Sequence, residues 1–421
     1  MKSCLYSLLC FVFLFPVLIA SSQNQPTQPA TGPGGSNYVH GGVTIYDYAT
    51  NGNGEDFWLY EPNSPTPDSA NVIVFCHGLG MVNPKAYGAF IKHLVRKGNT
   101  VIYPRYQRDL NLSTGIEVYN DSCAKGIKKA LDTIQQPGHV KGRIQNYFIL
   151  GHSVGGVLTA NMTMLHAQYG LPKPLTAFSM QPGAAMYLMS DYAAFPADVK
   201  YLIAIGEDDA IVGTGPGTTI YNQTTAVPTS HKNLVHHYAD THGNPDIQAS
   251  HNEPCGFDNQ FDNGETNLFI PFVTGNVDAV DYYCYWKLQD ALMDCALNNQ
   301  NCDVAFGNTA QQKNMGNWGD GTPVRVLEIT PAAPSAVVET SGNNLVQVYP
   351  NPSNGRISVT VNDNLVGSRF VITDRLGSVV LQQQVTALQF TADIQNLAEG
   401  VYFYQVINAN GIAGTGKVMV D

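Results

Sequence analysis

Charge is scarce in this chain of 421 residues: Asp, Glu, Lys and Arg together make up 13%, against about 25% in an average soluble domain. Lys and Arg number only 22 and nowhere cluster. A run of phosphates could not be neutralised, so no nucleic-acid partner is expected. Long apolar runs are missing after the first twenty residues, which leaves no further candidate for a membrane span of about 20 residues. C-x-x-C and paired-histidine spacings are also missing, so neither a structural metal nor a cofactor is expected. Any chemistry must come from the side chains of the chain itself.

What is present begins with an export signal. Met1-Lys2-Ser3 precedes an apolar run from Leu8 to Ala20, and a Ser/Gln/Pro/Thr-rich stretch starts at Ser21. This pattern reads as a signal peptide over 1–20, too short to anchor the chain, followed by a polar segment over 21–42. Asn, Gly, Ser and Thr are plentiful and the net charge is -11, which suits an extracellular surface. Of eight cysteines, Cys4 and Cys10 lie in the signal, leaving six at 76, 123, 255, 284, 295 and 302. An even number in an exported chain permits disulfides. Cys295 with Cys302 and Cys255 with Cys284 are the expected pairs.

From 43 to 302 short β-branched runs alternate with longer helical stretches, the pattern of a mostly parallel, doubly wound α/β sheet covered on both faces. Strands are expected at 43–48, 57–60, 72–76, 101–103, 147–150, 175–180, 201–205 and 234–238. Helices are expected from Pro84 onward with Gly98 just past the end, around Ala124, Ile127, Leu131 and Ile134, and over 279–297. Residues 303–342 turn Gly-, Pro-, Ala- and Thr-rich and read as a linker. Beyond them, 343–421 carries short alternating runs broken by Asn354-Gly355 and Asn410-Gly411, which predicts a small all-β sandwich.

The strongest chemical signal is Gly151-His152-Ser153-Val154-Gly155, between the strand ending at Leu150 and the helical run from Val157. A strand-to-helix turn this sharp strains the serine and needs flanking glycines, because side chains there would meet neighbouring backbone. The turn lifts the Ser153 hydroxyl out of the sheet, and the helix start supplies amides for a developing oxyanion. Val72 to Cys76, followed by His77-Gly78-Leu79-Gly80, suits a second amide donor. Leu79 and Val154 are therefore the candidate oxyanion-hole residues, with His77 as loop support.

A serine hydroxyl needs a base, and the base needs an acid to hold its tautomer. The expected chain order is Ser, then Asp or Glu, then His. After the strand at 201–205 comes Gly206-Glu207-Asp208-Asp209, where Asp209 is favoured, with Asp208 and then Glu207 as alternatives. Among His231, His236, His237, His242 and His251, the last suits a loop that returns over Ser153, and His242 is the alternative. Met186, Tyr187, Met189, Tyr192 and Phe195 form either an apolar wall or lid, or an ordinary core-facing helix. Asp258, Asn259, Asp262, Asn263 and Glu265 hint at calcium, but without EF-hand spacing they read as a solvated loop.

These motifs carry two resemblances. Residues 43–302 resemble the α/β-hydrolase family, and Val74-Phe75-Cys76-His77-Gly78 through His93–Gly98 to Tyr103-Pro104-Arg105-Tyr106-Gln107 is similar to its dienelactone-hydrolase, chlorophyllase and cutinase-like branch. The resemblance implies a secreted serine hydrolase cleaving carboxylic esters, with an ester or lipid-like small molecule or polymer as substrate. The competing expectations are a serine peptidase on the same fold and an inactive surface binding protein. At the other end, Val348-Tyr349-Pro350-Asn351-Pro352-Ser353-Asn354-Gly355, Asp374-Arg375-Leu376-Gly377, Leu397-Ala398-Glu399-Gly400-Val401-Tyr402 and Gly416-Lys417-Val418 resemble the type A sorting domain of the type IX secretion system of Bacteroidota. That resemblance implies the type IX machinery as a partner, passage through periplasm and outer membrane, and a secreted or cell-surface destination.

Overall fold

A computed structural model describes residues 23–49, 54–108, 114–267, 275–330, 346–374, 378–408 and 411–421. The signal peptide lies outside the described residues, as do 331–345 of the expected linker. The chain forms two compact units that divide between Ala332 and Ala333.

The first unit is built on a nine-stranded mixed sheet. Its strands are β1 (Gly42–Asp47), β2 (Phe57–Asn63), β3 (Ser69–Cys76), β4 (Asn99–Pro104), β5 (Lys141–His152), β6 (Thr176–Met180), β7 (Lys200–Gly206), β8 (Lys232–His237) and β9 (Glu328–Thr330). They lie in the order β1-β2-β4-β3-β5-β6-β7-β8-β9. The run from β4 to β8 is parallel; β1, β2 and β9 pair antiparallel at the two edges. The continuous apolar runs of β3, β5 and β7 are buried on both faces, as parallel strands under helices must be.

The helices are α1 (Gly88–Arg96), α2 (Ile116–Thr133), α3 (Val154–Met164), α4 (His166–Tyr169), α5 (Gly215–Gln223), α6 (Trp286–Asn298), α7 (Cys302–Ala305) and α8 (Ala310–Lys313). Phe90, Ile91, Leu94 and Val95 of α1 join Leu288, Ala291 and Leu292 of α6 in the core on one face of the sheet. Ala124, Ile127 and Leu131 of α2 join Val157 and Leu158 of α3 in the core on the other. The helix expected over 279–297 opens instead with a π-type turn at Asp281–Tyr285 before α6 begins.

Two expectations need correction. The linker does not begin after Cys302: α7, α8 and β9 fold back onto the sheet, with Leu234 of β8 paired to Thr330. Met315, Trp318, Val324, Leu327 and Ile329 are buried in the same core as α1 and α6. They are spaced singly among Gly, Asn and Pro, so neither helical nor strand periodicity marks them. Buried Gln312 ties the segment down through Asn233 Oδ1 at 2.9 Å, and the Lys287 ammonium donates to Gln312 O at 2.9 Å. Second, Cys295 and Cys302 are joined as expected, but Cys255 and Cys284 are free and buried, as are Cys76 and Cys123. Each of these four acts as a small apolar core residue.

The C-terminal unit is entirely antiparallel. One sheet has the order β10 (Val346–Tyr349), β11 (Arg356–Val361), β14 (Gln389–Asp393); the other has β13 (Val379–Gln384), β12 (Arg369–Thr373), β15 (Gly400–Asn408), β16 (Gly411–Val420). Ile357 and Val359 from the first and Phe370, Ile372, Tyr404 and Val406 from the second share one core, each contributed by every other residue of its strand.

Candidate active site

Ser153 sits at the junction of β5 and α3 with φ 57 and ψ -125. A side chain held at positive φ costs on the order of 1–3 kcal/mol and persists only where neighbours enforce it. Here the Ser153 N–H donates to Met180 O at 3.0 Å, and its carbonyl accepts from Gly156 N at 2.8 Å and Gly183 N at 3.1 Å. A Cβ on Gly151 would strike Gly155 O and Cys76 O, and one on Gly155 would strike Cys76 O and His77 O. Both glycines therefore let α3 start directly against the end of β3.

Ser153 Oγ lies 2.9 Å from His251 Nε2, and His251 Nδ1 lies 2.7 Å from Asp209 Oδ2. Asp209 Oδ1 accepts from the amides of Ile211 at 3.0 Å and Val212 at 2.9 Å. Burial alone would raise the Asp209 pKa, but the bond and charge of His251 and the two amides outweigh it and leave it below the ordinary value. An ionised Asp209 can only accept, so His251 Nδ1 carries the proton and Nε2 is left to accept from the Ser153 hydroxyl. That is the tautomer a general base needs.

The alternatives lie elsewhere. Asp208 and Glu207 are exposed, and Glu207 bonds His236, as Thr330 Oγ1 also does at 2.6 Å. His242 pairs with Asp320 at 2.8 Å. His237 is buried in the core, where desolvation lowers its pKa to about 4. His77 stacks on Tyr106 at 4.0 Å between ring centres, and its Nδ1 lies 2.7 Å from Gly78 O, in keeping with loop support. Of the proposed lid, Tyr187 lines the site, Met186 is exposed, and Tyr192 and Phe195 are core residues. The carboxylates of the supposed calcium loop meet bases: Asp262 with Lys85 at 2.7 Å, Asp258 with Lys92 at 2.9 Å and Glu265 with Arg105 at 2.9 Å.

A cavity of about 450 Å³ opens over Ser153, walled mainly by Leu79, Met81, Val154, Tyr187, Ile211 and Val212, with His152, His251 and Asn252 as polar members. Leu79 and Val154 thus border the same space as the serine hydroxyl. Among the described residues no backbone acceptor takes the Leu79 amide, and Val154, as the first residue of α3, has no acceptor within its helix. Sequence reasoning missed the parts beneath the site. Tyr87 and His152 are buried and hydrogen-bonded to each other at 2.8 Å, and Gln181 donates to Ser250 O at 2.5 Å, one residue before His251. Position gives no hint of these contacts, because each joins segments far apart in the chain.

Comparison with known proteins bears on the other unit. The family model of the secretion system C-terminal sorting domain matches residues 347–421. The C-terminal unit is a type IX sorting domain. It marks the chain for export to the cell surface or extracellular space and implies contact with the secretion machinery. No curated protein matches the chain.

Proposed function

We propose that the first unit is a serine ester hydrolase of the α/β-hydrolase type, delivered outside the cell by its sorting domain. One observation carries this reading: a serine held at strained φ, 2.9 Å from an imidazole that is itself 2.7 Å from a buried carboxylate, beneath an apolar cavity. In this reading Ser153 Oγ attacks the acyl carbonyl while His251 Nε2 takes its proton, and Asp209 steadies the imidazolium. The tetrahedral oxygen is met by the amides of Leu79 and Val154. His251 then protonates the leaving alkoxide, and water repeats the sequence to release the acid. No cofactor enters the scheme. The cavity falls in the usual range for small-molecule sites, roughly 300–1,000 Å³, and its walls suit alkyl or acyl groups rather than charged ones.

The test is turnover of short and medium p-nitrophenyl esters by the purified protein and its Ser153→Ala variant. Turnover that disappears in the variant, with covalent fluorophosphonate labelling lost in parallel, is the expected result. A folded wild type that neither turns over esters nor takes the label would refute the reading; cleavage of amides without esters would transfer it to a peptidase.

A further inference from the structure

The residue before the serine forms a buried bridge that the reaction scheme leaves unused. The Gly78 amide donates to the Tyr87 hydroxyl at 3.0 Å, Tyr87 Oη lies 2.8 Å from His152 Nδ1, and His152 Nε2 lies 2.7 Å from the carbonyl oxygen of His251. All four groups are buried. A carbonyl only accepts, so Nε2 must carry a proton. Burial and the nearby His251 ring pull the His152 pKa down to about 3, so Nδ1 is bare and accepts from the Tyr87 hydroxyl. One proton arrangement satisfies every member: Gly78 N–H to Tyr87 Oη, Tyr87 O–H to Nδ1, and Nε2–H to His251 O.

The bridge starts one residue before Leu79, runs through the residue preceding Ser153 and ends on the backbone of His251. The His251 ring bonds Asp209 and Ser153; the backbone before it is held by Gln181 at Ser250 O and by the Asp208 amide at Ala249 O, and His152 holds the carbonyl of His251 itself. We propose that His152 and Tyr87 are positioning residues, a hydrogen-bonded bridge that keeps the His251 backbone and the Gly78–Leu79 loop in one register around Ser153. This rests on the hydrolase reading for its kinetic consequence but not for its geometry. His152 borders the cavity and its ring lies 4.7 Å, centre to centre, from that of His251, but the hydrogen bonds of His152 and Tyr87 go to each other, Gly78 and the His251 carbonyl, not to Ser153 Oγ or His251 Nε2. Their loss lets base and oxyanion donors drift apart, and a drift of about 1 Å costs roughly 100-fold in rate.

The experiment compares His152→Leu, His152→Gln and Tyr87→Phe with wild type by two readouts. The first is NMR of the His251 Nδ1–H proton, which is held on Asp209 and needs no turnover to observe. The second is the division of ester kinetics between kcat and KM. For His152→Leu, kcat is expected to fall about 100-fold with KM little changed, and the downfield Nδ1–H signal to broaden or vanish. Gln can still donate to His251 O, so His152→Gln should retain the signal and return kcat to within about tenfold of wild type. Tyr87→Phe should fall between them, and it decides the matter if the Leu variant does not fold. An unchanged Nδ1–H signal and unchanged kcat in His152→Leu, or in Tyr87→Phe in its place, overturn the proposal. A folded wild type that neither turns over esters nor takes the fluorophosphonate label overturns the hydrolase reading alone, and the NMR comparison still decides the bridge.

Discussion

Glu253, two residues after His251, makes the stability of this unit depend on pH in a direction opposite to that of most carboxylates. Its carboxylate accepts from Ser250 Oγ at 2.6 Å. Burial is the largest influence on it and raises its pKa from 4.5 to about 7; Asp278 and Asp246 push the same way, while the Ser250 bonds partly offset them. Half-buried Asp278 and buried Asp281 are raised as well, and Asp281 Oδ1 has no hydrogen-bond partner among the described residues. A carboxyl whose folded pKa exceeds its unfolded value holds its proton more tightly when folded. Its contribution is fully present below pH 4.5 and is lost as pH rises through about 7. At about 1.4 kcal/mol per unit, the shift corresponds to at most about 3 kcal/mol, and residual solvent contact lowers this to about 2 kcal/mol. Glu253→Gln keeps the shape and the Ser250 partner but cannot ionise. Urea denaturation of both proteins from pH 4 to 8 should therefore show the variant gaining about 2 kcal/mol on wild type across that interval, or about 4 °C in Tm at the upper end. Wild-type and variant stability curves that stay parallel throughout would refute the argument.

Gly155→Ala places a Cβ against Cys76 O and His77 O, whereas at Gly215, the first residue of α5, a Cβ meets nothing within 4 Å. Backbone overlap of this kind should cost about 1–3 kcal/mol and, by moving α3 away from β3, roughly 100-fold in ester turnover; thermal melts and kinetics should find Gly215→Ala near wild type in both. Alkylation and intact mass should report no reactive thiol in the folded protein, four after denaturation without reductant, from the free Cys76, Cys123, Cys255 and Cys284, and two more once Cys295–Cys302 is reduced. A different count would show that the cysteine pairing differs from that described.

Features set by neighbouring residues were legible in the sequence. The strand, turn and helix around Ser153 follow from apolar runs and two glycines, because the turn is governed by local φ, ψ and close backbone approach. The alternation in β11, β12 and β15 and the motifs of the sorting domain are likewise local. His251 was favoured in the sequence but His242 stayed open, and the path of the chain after β8 is what separates them. Asp240 and Ile247 pair and close a small loop, which leaves His242 outside with Asp320 and returns 249–251 to the end of β7, where Ala249 O accepts from the Asp208 amide. The turn after β7 likewise aims Asp209 inward and Asp208 to solvent.

By itself, the sequence determined an exported chain, an alternating α/β unit with a serine on a sharp turn, and a separate sorting domain. Those depend on composition and on periodicities that repeat within one element. Only the tertiary structure decided which histidine and acid meet Ser153, that residues 302–330 belong to the first unit, which cysteines remain free, and that Tyr87 and His152 join Gly78 to His251. Each of these is a contact across many residues of intervening chain. Such contacts are set by how the loops close rather than by any spacing that can be read along the chain.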